Sequence, residues 1–216
     1  QSIKVIILIL SFYGEKKFLP DYQEQLIQIQ DMRINSSLYS KISNCEIAQF
    51  IDKEFTNFVS KKVSFSQFRH FMLLAILVKE VPMKFQTLAD IHYHYHNFIE
   101  DSDCVQHKTY LIRNNEQFHF IFNLKKDGIQ QKQIKYEITD RKVRMLLKIY
   151  FSRYANNLHY VFTTSGGKKC SESNIANSLS NFCRLYLGVP LTLGEIRSSV
   201  NTRDLSDNQK FIYENF

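Results

Sequence analysis

Lys108-Thr-Tyr-Leu-Ile-Arg113, Gln117-Phe-His-Phe-Ile-Phe122 and Gln133-Ile-Lys-Tyr-Glu-Ile138 are three short runs rich in β-branched and aromatic residues. That composition suits a pleated, half-buried surface. Asn114-Asn115 separates the first two runs and Lys126-Asp-Gly128 the last two, and turn signals this short join neighbouring strands. The segment therefore reads as a three-stranded antiparallel meander. The sequence on either side has helical spacing instead. Upstream, Phe68, Phe71, Met72, Leu74, Ala75 and Leu77 make an apolar helix that must be central to a core. Downstream, Thr139 or Asp140 caps a helix whose Val143, Leu146, Leu147 and Tyr150 share a face. Ser171 or Ser173 opens a further helix bearing Ile175, Leu179, Phe182 and Leu185, and Gly188-Val-Pro190 ends it. Leu193 to Val200 and Asn208 to Tyr213 also read as helical. Helices, a meander, then more helices give an α+β layout.

Residues 1–62 read as a small helical arm or core-binding-like domain. Leu26, Ile27, Ile29 and Met32 form one apolar stripe; Ile47, Phe50, Ile51, Phe55, Phe58 and Val59 form another, capped by Ser43 or Asn44. Val59-Ser-Lys-Lys-Val-Ser-Phe-Ser66 is polar and basic enough for a linker, so a second domain is expected over 63–216. The apolar run Ile3 to Leu10 is too short to span a bilayer. Its Lys4 and the lack of a small-residue cleavage pattern argue against a signal peptide, which leaves a buried helix or strand and no membrane partner. A chain beginning with Gln1 reads as a fragment.

Lysine and arginine outnumber aspartate and glutamate by 28 to 21, a formal charge of +7 that favours an anionic partner, nucleic acid first. A basic protein with no such partner is the plain alternative. Cys45, Cys104, Cys170 and Cys183 lie far apart without CxxC spacing, so reduced thiols are expected rather than a disulfide frame or a zinc site.

Three further stretches carry the chemistry. Pro82-Met-Lys-Phe-Gln-Thr-Leu-Ala-Asp-Ile91 reads as a helix leading into the meander, with Lys84, Thr87 and Asp90-Ile91 in order. Leu124-Lys125-Lys126-Asp-Gly128 puts two lysines in a strand turn. Gly188-Val-Pro-Leu-Thr192 precedes Gly194-Glu-Ile-Arg197 within Leu191 to Thr202. In this order and spacing, over roughly residues 64–216, the chain resembles the catalytic domain of the tyrosine recombinases and integrases. The resemblance implies a fold of helices around a three-stranded sheet. It also implies that Lys84, Lys125 and Arg197 contact phosphate, where the family uses an arginine, a lysine and an arginine. In that chemistry a tyrosine attacks a phosphodiester, two arginines hold the non-bridging oxygens and the lysine protonates the leaving oxygen. Lys84 keeps the charge of an arginine and loses its bidentate fork. Gly194 stands where the family has a histidine. The family's nucleophile would lie beyond Phe216, and Tyr213 is too close to Arg197 to match, so it reads as a packing residue.

The expectation is thus a duplex-DNA-binding protein with a degenerate recombinase fold, architectural or packaging in role, located in a nucleus or a virus and able to form homo-oligomers or a nucleoprotein assembly. An active recombinase with its nucleophile outside the chain is the alternative, and a scaffold for protein contacts is a third reading. No cofactor is expected. Candidate DNA contacts are Lys61, Lys62, Lys126, Lys132, Arg141, Lys168 and Lys169, within a wider basic group that includes Arg69, Lys135, Lys142 and Arg144. Thr163-Thr-Ser-Gly-Gly-Lys-Lys169 lacks the spacing of a nucleotide-binding loop and reads either as a phosphate-touching loop or as a solvated one. His92, His94 and His96 would share one face of an extended segment. A polar surface strand or loop is preferred to a metal site there, for want of matching ligands nearby.

Overall fold

The computed structural model describes residues 42–95, 108–124, 132–154, 159–200 and 204–216. The readings on Ile3–Leu10, the stripe of Leu26, Ile27, Ile29 and Met32, His96, Cys104, Lys125 and Lys126 lie outside the described residues. The chain is mixed α+β, with seven helices and a four-stranded mixed sheet among the described residues. No helix among them is long and apolar enough to cross a membrane.

Helix α1 (Asn44–Ser60) opens with a capping box in which Ser43 and Glu46 satisfy each other's backbone amides. Its Ile47, Ile51 and Phe58 are buried, and Phe58 stacks on Phe71 with ring centroids 4.0 Å apart. Helix α2 (Phe65–Lys79) is capped by Ser64 and Gln67, and every residue from Phe68 to Leu77 is buried. A helix buried on every face, even at Arg69 and His70, is enclosed on all sides, which makes α2 the axis of the fold. Helix α4 (Arg141–Arg153) packs Val143, Leu146, Leu147 and Tyr150 into the same core. Helix α5 (Glu172–Leu187) contributes Ile175, Leu179 and Phe182 and ends at Gly188, whose φ of 77° is the left-handed cap that glycine permits.

The compact unit begins at Ile42. Lys61 to Ser64 are a tight connection, with Val63 N–H bonded to the Lys61 carbonyl, between two helices that share one core. The helix read over 82–91 is confined to α3 (Phe85–Ala89), because α2 stops at Lys79 and Pro82 cannot continue a helical hydrogen-bond ladder.

The sheet runs in the order β1 (Ile91–Tyr95), β2 (Thr109–Asn114), β3 (Gln117–Leu124), β4 (Lys132–Glu137). β2, β3 and β4 form the expected antiparallel meander, with Leu111 opposite Phe120 and Phe120 opposite Tyr136. The expected three strands become four because β1 pairs parallel to β2, Ile91 beside Thr109 and Tyr93 beside Leu111. A parallel neighbour requires a crossover rather than a hairpin and leaves no local turn signal. On the outer edge of β1, Tyr93 N–H bonds the His159 carbonyl at 3.0 Å, and Val161 N–H bonds the Ile91 carbonyl at 2.9 Å. The sheet's apolar face, including Leu111, Phe118, Phe120 and Phe122, closes the core. Cys170 and Cys183 are buried thiols, and Cys45 is exposed. The last two helices, α6 (Leu193–Ser199) and α7 (Asp207–Asn215), lie beyond α5 in the chain and build the region described next.

Candidate functional site

Lys84 is the N-cap of α3, in extended conformation, and its exposed side chain makes no capping bond to its own helix. Instead it reaches the C-terminal end of α7. Its Nζ donates to the carbonyls of Glu214 at 3.3 Å and Asn215 at 3.2 Å. Its backbone N–H donates to the Phe216 carbonyl at 2.5 Å, and Thr87 Oγ1 donates to that same carbonyl at 2.7 Å. Arg197 meets the same helix. α6 is started by a capping box between Thr192 and Glu195, which places Arg197 in its last turn. The guanidinium lies over the Tyr213 ring, 4.7 Å from its centroid, and Nη2 donates to the Tyr213 carbonyl. Helix C-terminal carbonyls lack intrahelical partners and carry the negative end of the helix dipole, so two cations are apt ligands for them.

Lys84 and Arg197, distant in sequence, therefore line one cleft of about 480 Å³ together with Phe85, Leu193, Gly194 and Tyr213. Gly194 is not there for want of room: a Cβ added to it would meet only Thr192 Oγ1, at an ordinary 3.8 Å. Lys125 and Lys126, the turn lysines expected beside this pair, lie outside the described residues. Tyr213 packs, as read from the sequence, and what it packs against is the Arg197 guanidinium.

What holds α7 in place was not legible from the sequence. Glu80, 2% exposed at the end of α2, accepts from Tyr136 OH at 2.8 Å through Oε2 and from the Asp140 backbone N–H at 2.5 Å through Oε1. Gln209, in the first turn of α7, donates to the Glu80 carbonyl at 2.7 Å and to Tyr136 Oη at 3.1 Å. Burial raises the Glu80 carboxyl above its ordinary range despite these bonds. Nothing in the spacing of Glu80, Tyr136 and Gln209 marks them as partners; only the tertiary fold brings them together.

The other expected DNA contacts are spread over the unit. Lys61 and Lys62 are exposed in the connection between α1 and α2, and Arg141 is exposed at the first position of α4. For Lys132 only the β4 backbone is described. Lys168 and Lys169 stand exposed in a small hairpin closed by a bridge between Thr163 and Lys169. There Thr164 N–H bonds the Lys168 carbonyl at 2.7 Å, Gly167 N–H bonds the Thr164 carbonyl at 2.9 Å, and Lys168 N–H bonds Thr164 Oγ1 at 3.3 Å. Those three amides are used within the hairpin. Lys169 forms an ion pair with Asp90 and lies 5.3 Å from the Tyr160 ring centroid. Lys142 pairs with Asp52 at 2.6 Å.

Arg69 is a correction to the basic group. It is 9% exposed and interior. Its Nη1 donates to the Thr163 carbonyl and to Cys170 Sγ, the latter at 3.3 Å, and its Nη2 lies 3.0 Å from His70 Nε2. Its charge is spent on fixing the hairpin to α2. His92 and His94 share a sheet face and pack on Tyr110, with centroids 5.6 and 5.2 Å away, and His92 also meets Tyr160 at 4.6 Å. Among the described residues no group of three His, Cys, Asp or Glu side chains could hold a metal ion.

No family model, curated protein or solved structure matches the chain.

Proposed function

We propose that this protein binds duplex DNA through its phosphates with a degenerate tyrosine-recombinase-like domain, and that it serves an architectural or packaging role in a nucleus or a virus without cutting DNA. The observation that carries this reading is the convergence of Lys84 and Arg197 on one cleft. Both already ligate oxygen atoms there. Those carbonyl oxygens stand in for the non-bridging oxygens of a phosphate, which carry more charge and make stronger bonds to the same donors. The +7 surplus supplies a wider attractive field, with exposed Lys61, Lys62, Arg141 and Lys168 as contributors. Lysine at position 84 and glycine at position 194 weaken the case for chemistry, since a bidentate clamp and a proton donor are what phosphoryl transfer would need.

Titration of a labelled duplex across a range of salt concentrations tests the reading. Affinity is expected to fall with a log–log slope of about 0.9 per neutralised phosphate. Lys84→Ala and Arg197→Ala should each lower that slope by about 1. Binding that is absent at low salt, or indifferent to salt, sinks the proposal.

A second reading, an active recombinase whose nucleophile lies outside this chain, draws on the same pairing of Lys84 and Arg197 in one cleft. Against it, Lys84 lacks an arginine's bidentate fork and Gly194 lacks a side chain that could donate to the phosphate. A nicked suicide duplex separates the two: an Arg197-dependent covalent protein–DNA adduct establishes catalysis.

A further inference from the structure

We infer that the last turn of α7 is a built-in competitor for the anion site, so that DNA phosphate and this turn occupy Lys84 and Arg197 alternately. The inference rests on the proposed DNA binding and adds its regulation.

Four successive carbonyls, those of Tyr213, Glu214, Asn215 and Phe216, are taken up by Arg197, Lys84 and Thr87. A backbone run aimed at two cations occupies the positions that an anion's oxygens would take. The two ends of α7 are held differently. Its first turn is fixed by Ser206 in a capping box with Gln209 and by the bonds of Gln209 to Glu80 and Tyr136, and Ile212 is fully buried. Beyond Ile212, its last residues depend on the cleft cations, on the Lys84 backbone amide, on the Thr87 hydroxyl and on the half-buried Phe216 ring, whose centroid is 4.9 Å from that of Phe122. The carbonyls of Tyr213, Glu214 and Asn215 are neutral acceptors, whereas a phosphate oxygen forms a charge-assisted bond to the same donors. The competition is therefore one the anion wins at sufficient concentration, while in its absence the turn keeps the cations satisfied. The apparent affinity for DNA is the intrinsic affinity scaled by the fraction of molecules in which the turn has left the cleft.

Two substitutions loosen the turn without touching either cation. Thr87→Val removes the hydroxyl donor at nearly constant shape, and Phe216→Ala removes the ring on Phe122. Each should tighten duplex binding by about fivefold at fixed salt, the increase expected if the open fraction rises by that factor. Adding Lys84→Ala to Phe216→Ala should abolish the gain. As a check that requires no variant, a saturating duplex should speed hydrogen exchange at the Phe216 amide, which bonds the Ile212 carbonyl at 2.8 Å. If wild type binds duplex and the loosened variants bind no tighter, the latch is refuted and the DNA-binding reading stands. Should Phe216→Ala fail to fold, unchanged or slower exchange at that amide on the wild-type complex refutes it equally. If wild type and Thr87→Val both fail to bind at low salt, the DNA-binding reading itself falls, and the latch with it.

Discussion

Tyr136 on β4 donates its hydroxyl to the Glu80 carboxylate at 2.8 Å, which fastens the sheet to the end of the central helix. Tyr136→Phe would leave a nearly buried carboxylate oxygen without this donor and take an acceptor from Gln209. The expected cost is about 1–3 kcal/mol in urea unfolding, the range for a buried polar group left unpaired.

Glu80 should also set part of the pH dependence of stability. Burial raises its folded carboxyl value above the ordinary 4.5. Its contribution is therefore fully present below that ordinary value and is lost as pH rises through the higher folded one. Glu80→Gln keeps an acceptor for the Asp140 amide and cannot ionise. Unfolding free energies measured across this window should decline in wild type and lose that decline in the variant.

His70 should act in the opposite sense. Burial first, and the Arg69 charge second, lower its folded value from 6.5 to about 4. A neutral imidazole is what suits the neighbouring guanidinium, 3.0 Å away. Its contribution is present above pH 6.5 and drains away as pH falls toward 4, because the unfolded chain binds the proton first. The loss should reach about 3 kcal/mol at the acid end, and His70→Gln should remove that slope.

Much of the scaffold was legible because it is written locally. The apolar spacing of α1, α2, α4 and α5 and the alternation in β2 to β4 are short-range patterns. Of the cap candidates, Ser43, Asp140 and Ser171 are the ones that bond the first-turn amides. β1 was read as a polar strand or loop, because its partner β2 lies beyond a crossover and its His-Tyr alternation puts polar rings on one face. Arg69 was counted in the basic group because composition does not distinguish a charge that faces solvent from one that ties a hairpin to a buried helix. At the cleft, sequence order alone drew attention to Lys84 and Arg197. It gave no sign that backbone carbonyls would occupy both, since hydrogen bonds to carbonyls leave no trace in side-chain identity.

Gly194 sits in the first turn of α6, where an added Cβ would make only an ordinary contact with Thr192 Oγ1. Gly194→Ala should raise stability by about 0.5–1 kcal/mol, the helix-interior penalty of glycine relative to alanine. Thermal unfolding would show it; a loss of stability would mean that the added methyl is not accommodated beside Thr192.

The domain boundary can be tested by dissection. A chain spanning residues 42–216 should unfold cooperatively, whereas one starting at residue 63 should not fold, since it lacks Ile47, Ile51 and Phe58. Phe58→Ala in the full chain should cost about 3–5 kcal/mol, as expected for removing a buried aromatic. Circular dichroism and urea titration of the three proteins decide the matter.

The bonds that Lys84 and Thr87 make to the carbonyls of Glu214, Asn215 and Phe216 join points 129 to 131 residues apart. During synthesis the central helix and the whole sheet leave the ribosome long before the segment that seals their far end. Until then Phe122, buried against Phe216 in the finished fold, has only part of its cover. Contacts of such long range form late and slow the final approach to the native state. A nascent chain thus passes through a stage with an apolar sheet end uncovered, and this is where holding chaperones would engage it and where overexpression at high temperature would divert it into aggregates.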